Sequence, residues 1–222
     1  MKTFSRLLAI FLIFNSSWSL KAQSINIIAG FSSTSAVSTG DSIANNGLSA
    51  LAGYHFAANI DFKINDYLSF QPGLIFQTKG SKYQFSVNPT GNLFGPRASI
   101  TTDITARYLD LPLNIKAHYD INTNLTVFAI AGPYVGLGLE GEVTTNVNFL
   151  GLNIPNNQAI DWGTDIQRFD YGLGFGGGVE YRNFILQANY DLGLANLVVE
   201  GSVNNSLQNR IFRLSLGYRI NI

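Results

Sequence analysis

Apolar and polar residues alternate with a period of two along most of this chain. Segment 51–64 shows the pattern clearly, with Tyr54 and Phe56 on one face and His55 and Asp61 on the other. Because successive side chains of a β-strand point to opposite faces, this pattern predicts strands with one apolar and one polar face. Helical periodicity fits none of these segments. The sequence therefore predicts an all-β protein.

Eight segments are predicted as strands, and the connections between them alternate in length. The strands cover residues 24–32, 49–64, 67–80, 102–119, 124–140, 166–182, 184–194 and 208–222. Long polar connections at 33–48, 81–101, 141–165 and 195–207 alternate with short turns at 65–66, 120–123 and 183. A tilted membrane strand needs about 9 to 11 residues. This layout predicts an eight-stranded, antiparallel, up-and-down transmembrane β-barrel.

The charged residues indicate which side of the barrel wall meets water. Within the strand centres, the charged residues share the face opposite the apolar one: Asp61, Lys63, Lys79, Asp110, Lys116, Glu140, Arg168, Asp170, Glu180, Arg182, Asp191, Arg213 and Arg219. Arg107 departs from this rule, but it lies at the outer end of its strand. The apolar face is aromatic at both ends, with Phe62, Phe70, Tyr119, Tyr181, Phe184 and Tyr218 near the short turns and Tyr54, Phe76, Phe169, Tyr171, Tyr190 and Phe212 near the long loops. Two aromatic belts are typical of a barrel that presents its apolar face to lipid. A secreted, lipocalin-like barrel with that face turned inward is the alternative.

The N-terminus has the composition of an export signal. Lys2 and Arg6 precede an apolar run at 7–14, and a polar stretch ends at Ala22. The run is shorter than the roughly 20 apolar residues that a spanning helix needs. We therefore expect a signal peptide at 1–22, a barrel at 23–222 and a location in the cell outer membrane. A buried N-terminal helix is the alternative.

Composition narrows the function classes. Lys and Arg total 14, as do Asp and Glu, so no excess of positive charge favours a nucleic-acid partner. The chain has no cysteine, which excludes a disulfide scaffold and a thiolate metal site. His55 and His118 have no serine beside them and no close ligand spacing. We therefore predict no catalytic residue, no metal site and no cofactor.

Several inward residues are candidates for a role inside the barrel. Because buried ions require partners, a paired network is predicted from Asp110, Lys116, Arg168, Asp170, Glu180, Arg182, Arg213 and Arg219. A path for protons or solutes is the alternative. The inward glycines 172, 174, 176 and 178, next to glycines 132, 136 and 138, are expected to make room for bulky groups such as Tyr134, or alternatively to form a ligand cavity. A bulge or a lost hydrogen bond is predicted at Pro72, Pro112 and Pro133.

Four motifs resemble a known family. They are Tyr108–Leu113 (YLDLPL), the glycine-alternating run Gly172–Tyr181, Tyr190–Asn196 (YDLGLAN) and Arg213–Tyr218 (RLSLGY). Together they resemble the outer-membrane β-barrel family of Bacteroidetes-type bacteria, which includes PorT-like proteins and other small "porin family" barrels. The resemblance implies a small closed barrel, and for PorT itself an association with protein secretion and gliding.

Specificity is expected in the long loops, since loops on a rigid scaffold usually carry recognition. The candidates are Phe149, Asp161, Trp162 and Asp165. The leading hypothesis is a non-enzymatic outer-membrane barrel with a scaffold or interaction role, whose partners are outer-membrane lipid and other envelope or secretion proteins. The second hypothesis is a narrow porin-like channel for small solutes or ions.

Overall fold

The computed structural model describes residues 22–39, 48–87, 98–149, 152–198 and 206–222. These residues contain ten β-strands: β1 (Ala22–Thr39), β2 (Leu48–Ser49), β3 (Leu51–Lys63), β4 (Leu68–Val87), β5 (Ala98–Asn122), β6 (Leu125–Phe149), β7 (Leu152–Ala159), β8 (Phe169–Tyr181), β9 (Phe184–Gly193) and β10 (Ser206–Asn221). The predicted signal peptide lies outside the described residues except for Ala22. Among the described residues, no helix is long and apolar enough to cross a membrane.

Eight of the strands form a closed ring. Each pairs antiparallel with its neighbours in the order β1-β3-β4-β5-β6-β8-β9-β10. The first and last strands close the ring through continuous pairing from Ser24–Asn221 to Thr39–Ser206. The eight-stranded, antiparallel, up-and-down barrel predicted from the alternation is confirmed.

The wall of the barrel is apolar outside and polar inside. Phe31 and Leu216 project outward and are 81% and 69% exposed, whereas the inward Gln77 and Asp170 are fully buried. In water, so many exposed apolar side chains would favour association, whereas in a bilayer they contact hydrocarbon. The lipocalin-like alternative, in which the apolar face would be inward, is therefore wrong.

Outward aromatic side chains pair across neighbouring strands at both ends of the wall. Near the short turns, Phe184 and Tyr218 meet edge to face with ring centroids 5.4 Å apart. Near the long loops, the rings of Tyr54 and Phe76 lie 6.5 Å apart. Aromatic rings at these two levels are the preferred occupants of the two membrane interfaces.

Several strands extend further than the sequence pattern predicts. Residues 81–101 and 141–165 were predicted as loops, but β4 continues to Val87, β5 begins at Ala98, and β6 and β7 form a hairpin. The loop-side ends of these four strands, residues 81–87, 98–106, 141–149 and 152–159, form what we call the projecting sheet. Tyr83, Phe85, Ile100 and Ile104 alternate with polar residues there, but they lie on the side that is polar within the barrel wall. A period of two was therefore present in the sequence, with its apolar and polar faces exchanged.

A β-bulge changes the face of one predicted inward residue. Arg107 pairs with Glu140 but Tyr108 pairs with Gly138, so β6 has one extra residue at this point. Past an extra residue, a strand exchanges its inward and outward positions. Glu140 therefore points outward, where its carboxylate forms an ion pair with the Arg107 guanidinium.

The strand prolines interrupt the ladders without changing their register. The β4–β5 ladder passes from Pro72–Leu113 directly to Ile75–Asp110. The β5–β6 ladder likewise passes from Pro112–Tyr134 to Ile115–Ala131, across Pro133. Because proline has no N–H to donate, the structure loses pairing at these points and forms its bulges elsewhere.

Candidate functional site: the polar lumen and its cap

The loop-side half of the lumen contains a buried cluster centred on Lys79. Its Nζ lies 2.8 Å from a carboxylate oxygen of Asp110 and 2.8 Å from one of Asp170. The rings of Tyr108 and Tyr134 lie 4.6 and 4.7 Å from the same ammonium. An ammonium buried this deeply is stable only when its charge is compensated, and here two carboxylates and two ring faces do so.

Arg213 extends this loop-side cluster towards the middle of the barrel. Its Nη2 donates to Asp191 Oδ1 at 2.8 Å, and its Nη1 donates to Gln77 Oε1 at 3.2 Å. Gln77 in turn donates to Asp110. The hydrogen bonds therefore connect β4, β5, β9 and β10 across the lumen, so the cluster braces opposite sides of the wall.

A second buried cluster fills the turn-side half. Lys116 Nζ lies 2.5 Å from Glu180 Oε1 and 3.2 Å from Asp61 Oδ2. Arg219 Nη2 contacts the same two carboxylates at 2.7 and 3.2 Å. Gln71 adds a hydrogen bond to Asp61 at 2.6 Å. Two cations and two carboxylates form a square, so the charges of this cluster balance one another.

Apolar side chains that we call the apolar layer lie beside both clusters: the Phe128 ring is 4.8 Å from Lys116 Nζ, and Ile130 lines a void together with Asp110 and Arg213. Phe128, Ile130 and Ile185 form a buried group inside the barrel. The voids seen between these layers are small, about 10 Å³ beside Arg213 and about 30 Å³ beside Lys79, and the first is close to the smallest volume that holds one water molecule. From the loop-side cluster to the turn-side cluster, ionic and apolar side chains therefore fill the lumen.

The inward glycines make room for these side chains. A Cβ on Gly172 would lie 2.9 Å from the Tyr134 ring, and one on Gly178 would lie 2.8 Å from Phe128. A Cβ on Gly136 would collide with the Asp110 carboxylate. Since protein side chains occupy the space, these contacts support the interpretation that the glycines admit bulky groups and not a ligand.

His55 has a serine partner that sequence adjacency did not indicate. Its Nε2 lies 2.8 Å from Ser215 Oγ of β10, and the contact passes over Gly30 of β1, the strand between them. The expectation that no serine lies beside either histidine is therefore wrong for His55. The other ring nitrogen, Nδ1, has no hydrogen-bond partner among the described residues, and the imidazole is buried. A hydrolytic triad needs an acid that orients the histidine and access for a substrate, and this pair has neither.

An apolar cap closes the lumen on the loop side. The Trp162 ring packs edge-on against Tyr108 at 5.8 Å and covers Gly138, where a Cβ would collide with the indole. Ile160 and Leu197 are buried beside it. The segments that supply these residues are joined by backbone hydrogen bonds such as Gln167 N–H to Leu197 C=O at 2.9 Å.

The turn side of the lumen opens into a polar vestibule. It has a volume of about 400 Å³, and its lining includes Lys116, His118, Asp120, Thr126 and Arg219. The turn-side cluster forms its floor, so the vestibule ends there. Among the described residues, no group of three or more His, Cys, Asp or Glu side chains is arranged to hold a metal ion.

Comparison with known proteins agrees with this architecture. The family model described as "Outer membrane protein beta-barrel domain" matches residues 21–199, which is most of the chain. The chain belongs to this outer-membrane β-barrel family. It is therefore a protein of the outer membrane, and its apolar wall faces lipid. Among curated proteins, none matches the chain.

Solved structures with similar folds are small outer-membrane barrels. Ail, the attachment invasion locus protein of Yersinia pestis, is 14% identical over 90% of this chain and 100% of its own, with a TM-score of 0.38. Neisserial surface protein A is 16% identical over 89% and 97%, with a TM-score of 0.43. OprG from Pseudomonas aeruginosa is 10% identical over 91% and 98%, also with a TM-score of 0.43.

The predicted network residues of this outer-membrane barrel do not all lie together. Asp110, Asp170 and Arg213 belong to the loop-side cluster, and Lys116, Glu180 and Arg219 to the turn-side cluster. Asp61, Lys79 and Asp191 complete the clusters although the predicted network omitted them. Their inward position was already evident from the strand pattern.

Three residues expected inside the barrel lie outside the clusters because they are at strand ends. Arg168 precedes β8, is exposed and donates from Nε to Gly138 C=O at 2.8 Å. Arg182 occupies the β8–β9 turn with a left-handed φ of 55°. Lys63 pairs with Asp66 in the next turn at 2.9 Å, and this hydrogen bond lowers the pKa of the Asp66 carboxyl. Period-two alternation no longer holds where a strand ends.

The loop recognition candidates also have different positions. Trp162 points into the cap, so its ring is held by the barrel and is not free for a partner. Asp161 and Asp165 are exposed in the turn that positions Trp162, and the Asp165 carboxylate accepts a 2.9 Å hydrogen bond from Asp161 N–H. Phe149 ends β6, where its backbone pairs with Leu152 of β7.

Proposed function

We propose that this protein is a closed, non-enzymatic scaffold of the outer membrane that engages envelope partners through its loop-side surface. The observation that supports this proposal is the filled lumen, in which two ionic clusters, an apolar layer and an apolar cap succeed one another. A channel for small solutes needs a continuous polar passage, and the voids of about 10 and 30 Å³ beside Arg213 and Lys79 do not form one. A narrow channel is therefore the less favoured function.

The interaction role is supported by the projecting sheet. In this sheet, the ends of β4, β5, β6 and β7 extend past the aromatic rings at the loop-side membrane interface. β7 forms its edge, and residues 154–159 are all exposed there. Its outward face has polar groups such as Asp103, Thr144 and Asn157 at matching levels of the ladder. An ordered surface outside the membrane suits protein recognition better than the buried lumen does. The resemblance to PorT-like proteins supports a secretion assembly as the source of the partner.

Absence of catalysis is part of the same proposal. His55 and Ser215 are enclosed between the cap and the turn-side cluster, so a lipid or polymer substrate has no route to them. A lipid-modifying activity abolished by His55→Ala would contradict this point.

Planar-bilayer recording tests whether the barrel is closed. Purified protein inserted into a bilayer is expected to give no discrete current steps, whereas an outer-membrane porin inserted in the same apparatus conducts. Regular current steps from the folded protein, identified by heat-modifiable migration on gels, would overturn the closed scaffold.

A photo-crosslinking residue at Asn157 tests the interaction role in intact cells. We expect it to capture the same envelope protein in repeated experiments. The same crosslinker at Leu111, which is outward and 47% exposed within the wall, is expected to capture lipid alone. If neither position captures a protein, the interaction role is wrong. This result is independent of the bilayer recording, which tests only whether the barrel is closed.

A further inference from the structure

A long apolar groove crosses the lipid-facing wall between β4 and β9. Its volume is about 780 Å³. Small side chains, Ala29 and Ala58, form its floor, and larger ones stand along its edges: Phe56, Leu74, Phe76, Leu216, Tyr218 and Phe184. We propose that this groove holds an acyl chain of one phospholipid of the turn-side leaflet, whose phosphate binds Arg182.

The extent of the groove along the membrane normal fits within one leaflet of the bilayer. Leu74, Ala58, Ile27, Tyr218 and Phe184 are successive ladder partners on five adjacent strands. Four inter-strand steps of about 4.8 Å give a length of about 19 Å. Because barrel strands tilt by roughly 35–45°, this row descends obliquely and spans about 12 Å along the membrane normal. That is less than half of the roughly 30 Å hydrocarbon core.

The turn-side end of the groove lies beside Arg182. Phe184 begins β9 directly after the turn that contains Arg182, and it pairs with Tyr181 across the hairpin. The Arg182 guanidinium lies 5.6 Å from the ring centroid of Tyr181, whose side chain is outward. Arg182 therefore lies on the lipid side of the turn and not over the lumen.

Arg182 is available for an anion. In the described part of the chain it forms no ion pair with a carboxylate, in contrast to Arg107, Arg213 and Arg219. A guanidinium offers two parallel donors to a phosphate. At the edge of the aromatic belt, it is at the level where a phospholipid headgroup lies.

A phospholipid fits this groove better than a second copy of the barrel. The groove is a narrow strip with raised edges, whereas the outer wall of a second barrel is broad and convex. Such a wall would rest on the edges of the groove and leave the space over Ala29 and Ala58 empty. Contact with apolar protein offers no hydrophobic gain over contact with lipid tails. Specific occupancy must therefore come from shape and from the charge of Arg182.

Photo-crosslinking in nanodiscs tests the proposal. The probe is phosphatidylglycerol with a diazirine on one acyl chain, diluted into phosphatidylcholine, and labelled peptides are mapped by mass spectrometry. We expect labelling to concentrate on β1 and β3 around Ala29 and Ala58. Ala58→Phe, which fills the floor, should remove this enrichment, whereas Ala131→Phe on the opposite wall should preserve it.

The headgroup contact is tested at Arg182. Arg182→Asn, which keeps the left-handed turn, should lower labelling of the groove about fivefold, the effect of one basic residue near an anionic lipid. Arg182→Lys should retain most of it, and so should Arg107→Ala on the loop side. Labelling spread evenly around the wall, or unchanged by both Ala58→Phe and Arg182→Asn, would overturn the proposal. So would disulfide-linked dimers of Ala58→Cys, because they would place a second copy in the groove.

Discussion

At the scale of single residues, the loop-side cluster depends on the charge of Lys79. Its ammonium is 1% exposed and lies 2.8 Å from both Asp110 and Asp170. Lys79→Met keeps most of the side-chain volume but leaves two buried carboxylates without their cation. Removing one partner of a buried ion pair costs about 3–5 kcal/mol. We expect a loss of this size in the free energy of unfolding, measured by urea titration in lipid vesicles.

Lys82→Met is the matched control for Lys79→Met. Lys82 is on the same strand, but its 3.7 Å pair with Asp103 is partly exposed to water. Pairs of this kind contribute about 0–1 kcal/mol. Adding Asp110→Asn and Asp170→Asn to Lys79→Met should recover much of the lost stability because no uncompensated charge remains. If Lys79→Met and Lys82→Met unfold at the same urea concentration, the loop-side cluster does not stabilise the barrel.

At the scale of elements, β7 is a strand with a free edge that proline protects. Among the described residues β7 pairs only with β6. Ile160 N–H donates a 2.9 Å hydrogen bond to Gly141 C=O of β6. In an antiparallel ladder every second residue directs its backbone N–H to the same neighbour, so the even-numbered residues of β7 face β6. The backbone nitrogens of the odd-numbered residues, including Pro155, therefore face the free edge. A proline cannot donate a hydrogen bond there, which hinders pairing with another strand.

Pro155→Thr should therefore promote self-association. It restores an N–H at the centre of the free edge, and a two-fold pairing of β7 strands gains about 1 kcal/mol from each such bond. Sedimentation in detergent is expected to show dimers for Pro155→Thr. Asn156→Thr is the control because the N–H of residue 156 faces β6, and it should sediment like the original chain. Equal sedimentation of both variants would show that Pro155 does not protect this edge.

The same elements show how far the sequence determines the fold. The alternation predicted the number, the order and the inward face of the barrel strands correctly. The inward face is strongly determined because a shift of a strand by one residue would place charges such as Asp61 or Lys116 in lipid. The alternation failed at Glu140, where a bulge exchanges the two faces, and at Arg182, where a turn begins. The cap was not predictable, since the contact of Trp162 with Tyr108 joins residues 54 positions apart with no shared pattern.

At the scale of the whole molecule, the barrel is closed at several levels in series. The cap lies on the loop side, the loop-side cluster and the layer of Phe128, Ile130 and Ile185 lie below it, and the turn-side cluster forms the floor of the vestibule. Removal of one level leaves the others in place. Loss of the cap should therefore not create a pore, in contrast to a barrel that is gated only by its loops.

The double variant Trp162→Ala and Leu197→Ala tests this arrangement. It removes the indole over Gly138 and the buried leucine beside it, so the mouth opens down to Lys79. We expect planar-bilayer recordings to remain free of current steps, because the two clusters and the apolar layer still fill the lumen. Urea titration should still show a loss of stability, since truncating a buried leucine alone costs about 2–5 kcal/mol. Steady currents from the folded double variant, with none from the original chain, would instead mean that the cap is the gate and that the layers beneath it conduct.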